Sequence, residues 1–323
     1  MLRKAHRRFS AAAKTISSAP PRSTRCLGSE QTRQGLITAA YGRRFLVECD
    51  DGRVRDCSTR GKRSDYACGD RVTVSCSSDE QGVIDACTPR DTLLYRSDEW
   101  KQKLIAANVS RMVAVVAPLP SFDLDVLDCC LAAAEHAGIR PLIVLNKADL
   151  PEAAISEKSL APYVAMGYPL LKLVAREGVE ALRPQLAGQR SVLVGESGMG
   201  KSTILNQLVP QARVQTQEIS ASLGTGKHTT SHARLYHLDA QSDIIDTPGV
   251  QAFGVHHLGV EELAAAFSEF RPHLGQCRFR NCRHLEEPGC ALAAAAESGA
   301  ITPRRFASYR RLAAENLARQ KKY

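Results

Sequence analysis

The run Gly195-Glu196-Ser197-Gly198-Met199-Gly200-Lys201-Ser202 restricts the folding of this chain more than any other feature. It sits between a strand-like stretch, Ser191–Val194, and a helix-forming one, Thr203–Leu208. A G-x-x-x-x-G-K-[ST] loop in that setting requires strand, tight turn and helix in immediate succession. Its glycines let successive backbone N–H groups point into one concavity, and the helix N-terminus adds partial positive charge. Such a concavity takes phosphate. Lys201 is spaced to reach the β- and γ-phosphates of a nucleotide, as a candidate catalytic cation, and the Ser202 hydroxyl to ligate Mg²⁺. The expected phosphate-binding set is Gly195, Glu196, Ser197, Gly198, Met199, Gly200, Lys201, Ser202 and Thr203.

Asn146-Lys147-Ala148-Asp149 follows the apolar stretch Leu142–Leu145 directly. An N-K-x-D run at the end of a strand reads guanine, because the Asp149 carboxylate accepts from both N1–H and the exocyclic amine. Adenine offers neither donor there, which argues against an ATPase or small-molecule kinase. Taken alone, the four residues could equally cap a helix, with Asp149 as a turn residue. Asp246-Thr247-Pro248-Gly249 closes Ser242–Ile245 in the same way. There Asp246 is placed to hold the Mg²⁺ water shell and the Gly249 N–H to meet the γ-phosphate, although D-T-P-G is also a serviceable β-turn. Between them lies the polar loop Gly224–Thr230, a candidate first switch with Thr229 or Thr230 as the sensor of Mg²⁺ and γ-phosphate.

The order of these motifs is unusual. Small GTPases run phosphate loop, switch threonine, D-x-x-G, then N-K-x-D, whereas here Asn146 precedes Gly195 by about fifty residues. The chain is circularly permuted. Permutation joins the old ends and opens a surface loop, so a parallel sheet survives it. The D-x-x-G segment then leads into the C-terminal region.

The chain has 323 residues, 44% of them hydrophobic, which suits two or three compact units. No stretch approaches the roughly eighteen consecutive apolar residues of a membrane-spanning helix. From about Gly35 to Cys87, short alternating runs such as Phe45-Leu46-Val47 and Arg71-Val72-Thr73-Val74 are separated by Gly/Asp turns. That pattern suits a small β-barrel of the OB type or the SH3-like type. Beyond Asp98, the apolar runs Met112–Ala117, Leu142–Leu145, Leu170–Val174 and Ser191–Val194 alternate with helical patterns such as Val126–His136. Buried strands alternating with helices predict an α/β domain with a parallel sheet. From Val260 the pattern is helical, ending in a basic helix near Pro303–Lys322.

Within that last region, Cys277, Cys282, His284 and Cys290 bring four soft or borderline ligands together, a composition suited to a closed, structural Cys₃His zinc site. The other eight cysteines do not cluster so. Adjacent Cys129 and Cys130 read as small core residues, and the usage as a whole suits a reducing compartment. Net charge is +9. Residues 1–34 and 271–323 each carry a net +7, leaving −5 on the stretch between. Basic ends on an acidic middle suit a polyanion partner, more firmly for the C-terminal end. Residues 1–34 read either as a flexible basic arm or, with Leu2, Ala5, Phe9, Ala12 and Ile16 at helical spacing, as a mitochondrial presequence.

Together these motifs resemble the ribosome small subunit-dependent GTPase A (RsgA) family of circularly permuted GTPases. The likeness covers about residues 35–323, from the barrel and Ala106-Ala107-Asn108 through Asn146–Asp149, Gly195–Thr203, Gly224–Thr230, Asp246–Gly249 and the Cys/His cluster. It implies a basic arm (1–34), an OB-fold barrel (35–95), a circularly permuted GTPase domain (96–258) and a mostly helical zinc-binding domain (259–323). It further implies a monomeric, cytoplasmic GTP hydrolase with Mg²⁺ and one Zn²⁺. Such an enzyme binds the 30S subunit and its 16S rRNA late in maturation, and its slow hydrolysis is stimulated by that subunit. An alternative is a GTP-switched RNA-binding module in another RNA-processing or organellar ribosome pathway. The family's Ser-Ala guanine-loop pair corresponds to Val174-Ala175, which keeps the Ala175 backbone contact and loses the serine. After D-x-x-G, Val250 cannot orient water as a glutamine would. His257 matches a family histidine proposed for that task, with His256 as its competitor.

Overall fold

The computed structural model describes residues 31–61, 65–98, 101–210, 233–247 and 255–320. Five strands open it: β1 (Gln31–Tyr41), β2 (Arg44–Cys49), β3 (Val54–Thr59), β4 (Arg71–Cys76) and β5 (Gln81–Cys87). They pair in the order β1-β2-β3-β5-β4, and β4 returns to β1. The β3–β5 pairing is parallel and the others antiparallel. This closed Greek-key arrangement is the OB barrel and decides against the SH3-like reading. Period-two alternation drives it, since Phe45, Val47 and Cys49 of β2 meet Ile37, Cys57, Val72, Val74 and Ile84 in one core.

An antiparallel hairpin, β6 (Leu93–Asp98) and β7 (Lys101–Ala107), follows the barrel and straddles the expected boundary at residue 95. Then come β8 (Arg111–Val116), α1 (Leu124–His136), β9 (Arg140–Asn146), α2 (Ala153–Ala165), β10 (Leu170–Leu173), α3 (Arg183–Leu186), β11 (Arg190–Val194), α4 (Lys201–Leu208), β12 (Arg234–His237) and β13 (Asp243–Asp246). Strands β10-β9-β8-β11-β13 are all parallel, with antiparallel β12 joining the sheet to β1 of the barrel. On β8, Met112, Ala114 and Val116 face the core shared with α1, while Val113 and Val115 face the core shared with α3 and α4. Burial on both faces is why these strands are continuously apolar rather than alternating. Cys129 and Cys130 are buried in the α1 core, as expected.

The C-terminal region comprises α5 (Val260–Ala265), a 3₁₀ turn (Ser268–His273), α6 (Ala291–Glu297) and α7 (Pro303–Gln320). Phe267, Phe270, Phe306 and Tyr309 pack edge-to-face and stacked, and they belong to the same core as α1. A buried charge network crosses that contact. Arg305, 1% exposed, donates to Asp128 of α1 and to Glu269, while Arg304 and the Tyr163 hydroxyl also donate to Asp128. No described helix is long and apolar enough to cross a membrane.

Candidate nucleotide site and metal centre

The three nucleotide motifs begin at the C-terminal ends of parallel strands of one sheet, β9, β11 and β13, with β8 lying between β9 and β11, on the edge where open α/β sheets bind ligands. The phosphate loop leaves β11 through Gly195, at φ +139°, where an added Cβ would lie 2.2 Å from the Val115 carbonyl oxygen. It enters α4 through Gly200, at φ +96°, where a Cβ would lie 2.2 Å from Asn146 Nδ2. Only glycine fits either position. Lys201 is buried, and its Nζ donates to Gly195 O and Glu196 O at 2.7 Å each. Burial lowers the lysine's pKa, opposed chiefly by Asp246 on the neighbouring strand. An ammonium held against loop carbonyls gains most from an incoming phosphate, which supplies the counter-charge that burial withholds. Ser202 and Thr203 are exposed at the start of α4. Glu196 has an unexpected part: its carboxylate accepts from the Asp123 N–H at 2.8 Å, tying the phosphate loop to the start of α1.

The base site is built around Asn146, which is 2% exposed. Its Nδ2 donates to Met199 O at 2.9 Å and its Oδ1 accepts from Ala175 N at 3.0 Å, so one amide joins the phosphate loop to the guanine loop. The Ala175 N–H, expected from sequence to meet the base, donates here to Asn146 Oδ1. Lys147, at φ +57°, donates to Leu119 O and to Gly198 O. Asp149 accepts from Arg176 at 2.6 Å. Arg176, two residues after Val174, thus holds the carboxylate that the sequence pattern assigns to the base.

Asp246 is buried at the end of β13, and Thr247 Oγ1 donates to Leu193 O, fastening the start of D-x-x-G to the phosphate-loop strand. When bound, Mg²⁺ would supply charge neutralisation at the phosphates, and the sequence pattern would have Ser202 hold it directly and Asp246 through water. Gly249, Val250, Thr229 and Thr230 lie outside the described residues. His257 is not beside the phosphate loop. Its ring packs 4.9 Å from Tyr95 and 5.9 Å from His136. His136 ends the helix whose start Glu196 touches, and thirteen residues of rise separate the two points by about 20 Å. His256 is held elsewhere, by Asn316 of α7 at 2.9 Å.

The ligand atoms of Cys277, Cys282, His284 and Cys290 lie within 4.8 Å of one another. His284 Nδ1 is 3.4 Å from both Cys277 Sγ and Cys290 Sγ. A tetrahedral metal with S at about 2.3 Å and N at about 2.0 Å places S and N about 3.5 Å apart, so this spacing fits. His284 takes φ +60°, and Ala291 N donates to Cys277 Sγ at 3.3 Å. Burial holds the His284 imidazole below its ordinary pKa, favouring the neutral form that ligates, and pushes the Cys282 thiol up to about 12. A thiolate there needs a cation to form.

A guanine-reading motif and a phosphate loop on one edge of a parallel sheet, with the base motif first in the chain, define a circularly permuted GTPase. The family model for RsgA GTPase matches residues 87–256. The small ribosomal subunit biogenesis GTPase RsgA of Neisseria meningitidis is 52% identical over 271 residues, covering 84% of this chain and 88% of the relative. Its namesake from Nitrosomonas europaea is 49% identical over 282 residues, 86% and 90% of the two chains. Among solved structures, YjeQ from Thermotoga maritima aligns with a TM-score of 0.68 at 28% identity, covering 89% of this chain and 99% of that one. YloQ, a circularly permuted GTPase, aligns at 0.66 and 25%, covering 93% and 100%. The chain belongs to the RsgA GTPase family and is a GTPase.

Proposed function

We propose that this chain binds the small (30S) ribosomal subunit through 16S rRNA late in its maturation and leaves on hydrolysing GTP. The observation that carries this is the joining, through Asn146, of base loop and phosphate loop on the sheet edge next to a cationic C-terminal region. The names of its relatives supply the subunit. Mg²⁺ sits with Ser202, Asp246 through water, and Thr229 or Thr230, while Gly249 meets the γ-phosphate. One structural Zn²⁺ is held by Cys277, Cys282, His284 and Cys290, whose donor set and spacing suit it. The chain acts as a cytoplasmic monomer, divided into arm, barrel, GTPase and zinc-bearing region near residues 34, 95 and 258. Slow intrinsic hydrolysis follows from the position of His257, about 20 Å along α1 from the phosphate loop, and the subunit stimulates hydrolysis by bringing it in. The test is single-turnover GTP hydrolysis of wild type and His257→Ala with and without small subunits, beside co-sedimentation in GDP and in a non-hydrolysable GTP analogue. Stimulation of the wild type alone and tighter binding with the analogue are expected. Equal stimulation of both would remove His257 from the reaction, and equal sedimentation in both nucleotides would remove the switch.

A further inference from the structure

Between Cys277 and His284 the chain presents Arg278, Phe279, Arg280, Asn281 and Arg283, all exposed. Phe279 is 42% exposed, one of a handful of large apolar side chains left on the surface among the described residues, and the Arg278 guanidinium lies 5.4 Å from its ring centroid. Packing does not require a phenyl ring there, since the inward-facing neighbours are Cys282 and His284. The backbone beneath is held at several points. Arg278 N donates to Gly289 O, Cys282 N to Phe279 O, and the Tyr309 hydroxyl to Arg283 O.

The nearby acids are engaged elsewhere. Glu287 accepts from the backbone N–H groups of Arg283, Leu285 and Glu286, and Glu286 lies 3.6 Å from Arg310. Arg283 leads on to Arg310 and Arg311, which line a groove of about 860 Å³. The outward face of the loop thus carries an aromatic ring, backed by one guanidinium and flanked by two more.

A ring in this setting recognises the face of an unpaired base, while the arginines take the adjoining phosphates. A duplex hides its base faces and could use only the charge. We propose that Phe279 is a base-stacking platform. Residues 278–283 seat one unpaired nucleotide of an RNA strand, with Arg280 and Arg283 on its flanking phosphates. The inference rests on the RNA-binding reading above and adds to it a position, a nucleotide state and an energetic signature.

The metal-loaded full chain is titrated with poly-U RNA, with blunt duplex RNA and with isolated small subunits at several salt concentrations. Phe279→Ala should weaken poly-U and subunit binding about 5- to 150-fold, the range of one lost base stack, with an unchanged salt slope and unchanged duplex binding. Phe279→Trp should bind as wild type and Phe279→Leu as the alanine variant. Arg280→Gln should instead reduce the salt slope by about one. Metal content and melting temperature are followed throughout. If the alanine variant loses its metal, the Trp and Leu variants, which both retain an apolar side chain of substantial volume, decide the question. Wild-type affinity in Phe279→Leu would mean that the ring serves an apolar protein contact and would overturn the proposal, as would wild-type affinity in Phe279→Ala. Failure of the wild type to bind either RNA or subunits would instead remove the reading beneath it.

Discussion

Asn146→Ala isolates the link between base recognition and phosphate binding. The substitution removes a donor to Met199 O at 2.9 Å and an acceptor for Ala175 N at 3.0 Å. Met199 and Ala175 are themselves 1% and 2% exposed, so both backbone groups are left without a partner in a dry setting. Each such orphan costs about 1–3 kcal/mol, about 2–6 kcal/mol for the two. Both lie on loops rather than in the sheet, so the free protein can relax by letting water reach them. The cost then falls on the nucleotide complex, where the loops must return. Even the lower bound of about 2 kcal/mol is about 30-fold in affinity. The assay is equilibrium titration with a fluorescent GDP analogue, together with thermal denaturation with and without GDP. The expected result is GDP binding at least about 30-fold weaker, with a small fall in the melting temperature of the free protein and a large fall in that of the complex. Asn146→Asp keeps the acceptor but turns a second oxygen toward the Met199 carbonyl, so it should be no better despite its equal size. GDP binding within about threefold of wild type in Asn146→Ala would refute the argument.

Gly195→Ala would place a Cβ 2.2 Å from the Val115 carbonyl at φ +139°, so β8 and β11 must separate; urea denaturation should show a loss of at least about 2 kcal/mol, and nucleotide binding should vanish. Asp128→Ala strips one acid from Arg305, which is 1% exposed, and also releases Arg304 and Tyr163; a loss of about 3–5 kcal/mol is expected by urea denaturation, and one below 1 kcal/mol would show that Glu269 alone suffices. His237 bridges Glu48 of the barrel and Asp243 of β13 at 2.8 and 2.7 Å. Burial alone would lower its pKa, but the two carboxylates carry it above the ordinary 6.5. A raised histidine pKa stabilises fully below the unfolded value and is lost as pH rises through the folded one. The melting-temperature advantage of wild type over His237→Gln should therefore be largest below pH 6.5 and shrink above it, whereas a pH-independent difference would contradict the assignment.

The parallel core was legible because strands buried on both faces write themselves as unbroken apolar runs, and each polar motif then starts where a run stops, as Asn146 does after Leu142–Leu145. The barrel was legible from alternation as a barrel, and its OB type only from the family likeness. Alternation marks strands without naming partners, and the parallel β3–β5 pairing is a long-range fact. Helix α2 has a weak sequence signature because Ile155 and Val164 are exposed, Pro162 lies inside it, and its buried side includes Ser156, which blurs the apolar period. In the site, residue types and spacing identified the ligating groups but not what positions them. Arg176 lies 27 residues from Asp149 and Arg305 lies 177 from Asp128, separations at which no local pattern signals an ion pair. His257, singled out by family likeness alone, packs against the far end of α1, a placement that no local pattern signals.

The two flanking regions are tied to the GTPase sheet in different ways. The barrel's backbone pairing, Ala39 with Arg234, falls opposite Asp246 at the end of β13, whereas its side-chain contacts fall at the starts of the parallel strands. His237 spans Glu48 and Asp243, while Arg190 pairs with Asp243 and, like Asn108, donates to Gly69 O. Arg190 and Asp243 begin β11 and β13, a full strand length from the nucleotide edge. The C-terminal region instead meets α1 along its length, Arg305 at Asp128 and Arg271 at Glu135. Asp123, gripped by Glu196 of the phosphate loop, is five residues, about 8 Å, from Asp128. The phosphate-loop contact and the Arg305 contact thus lie about one and a half turns apart on a single helix. Asp128 and Arg305, both almost wholly buried, cannot separate without leaving charge in a dry core.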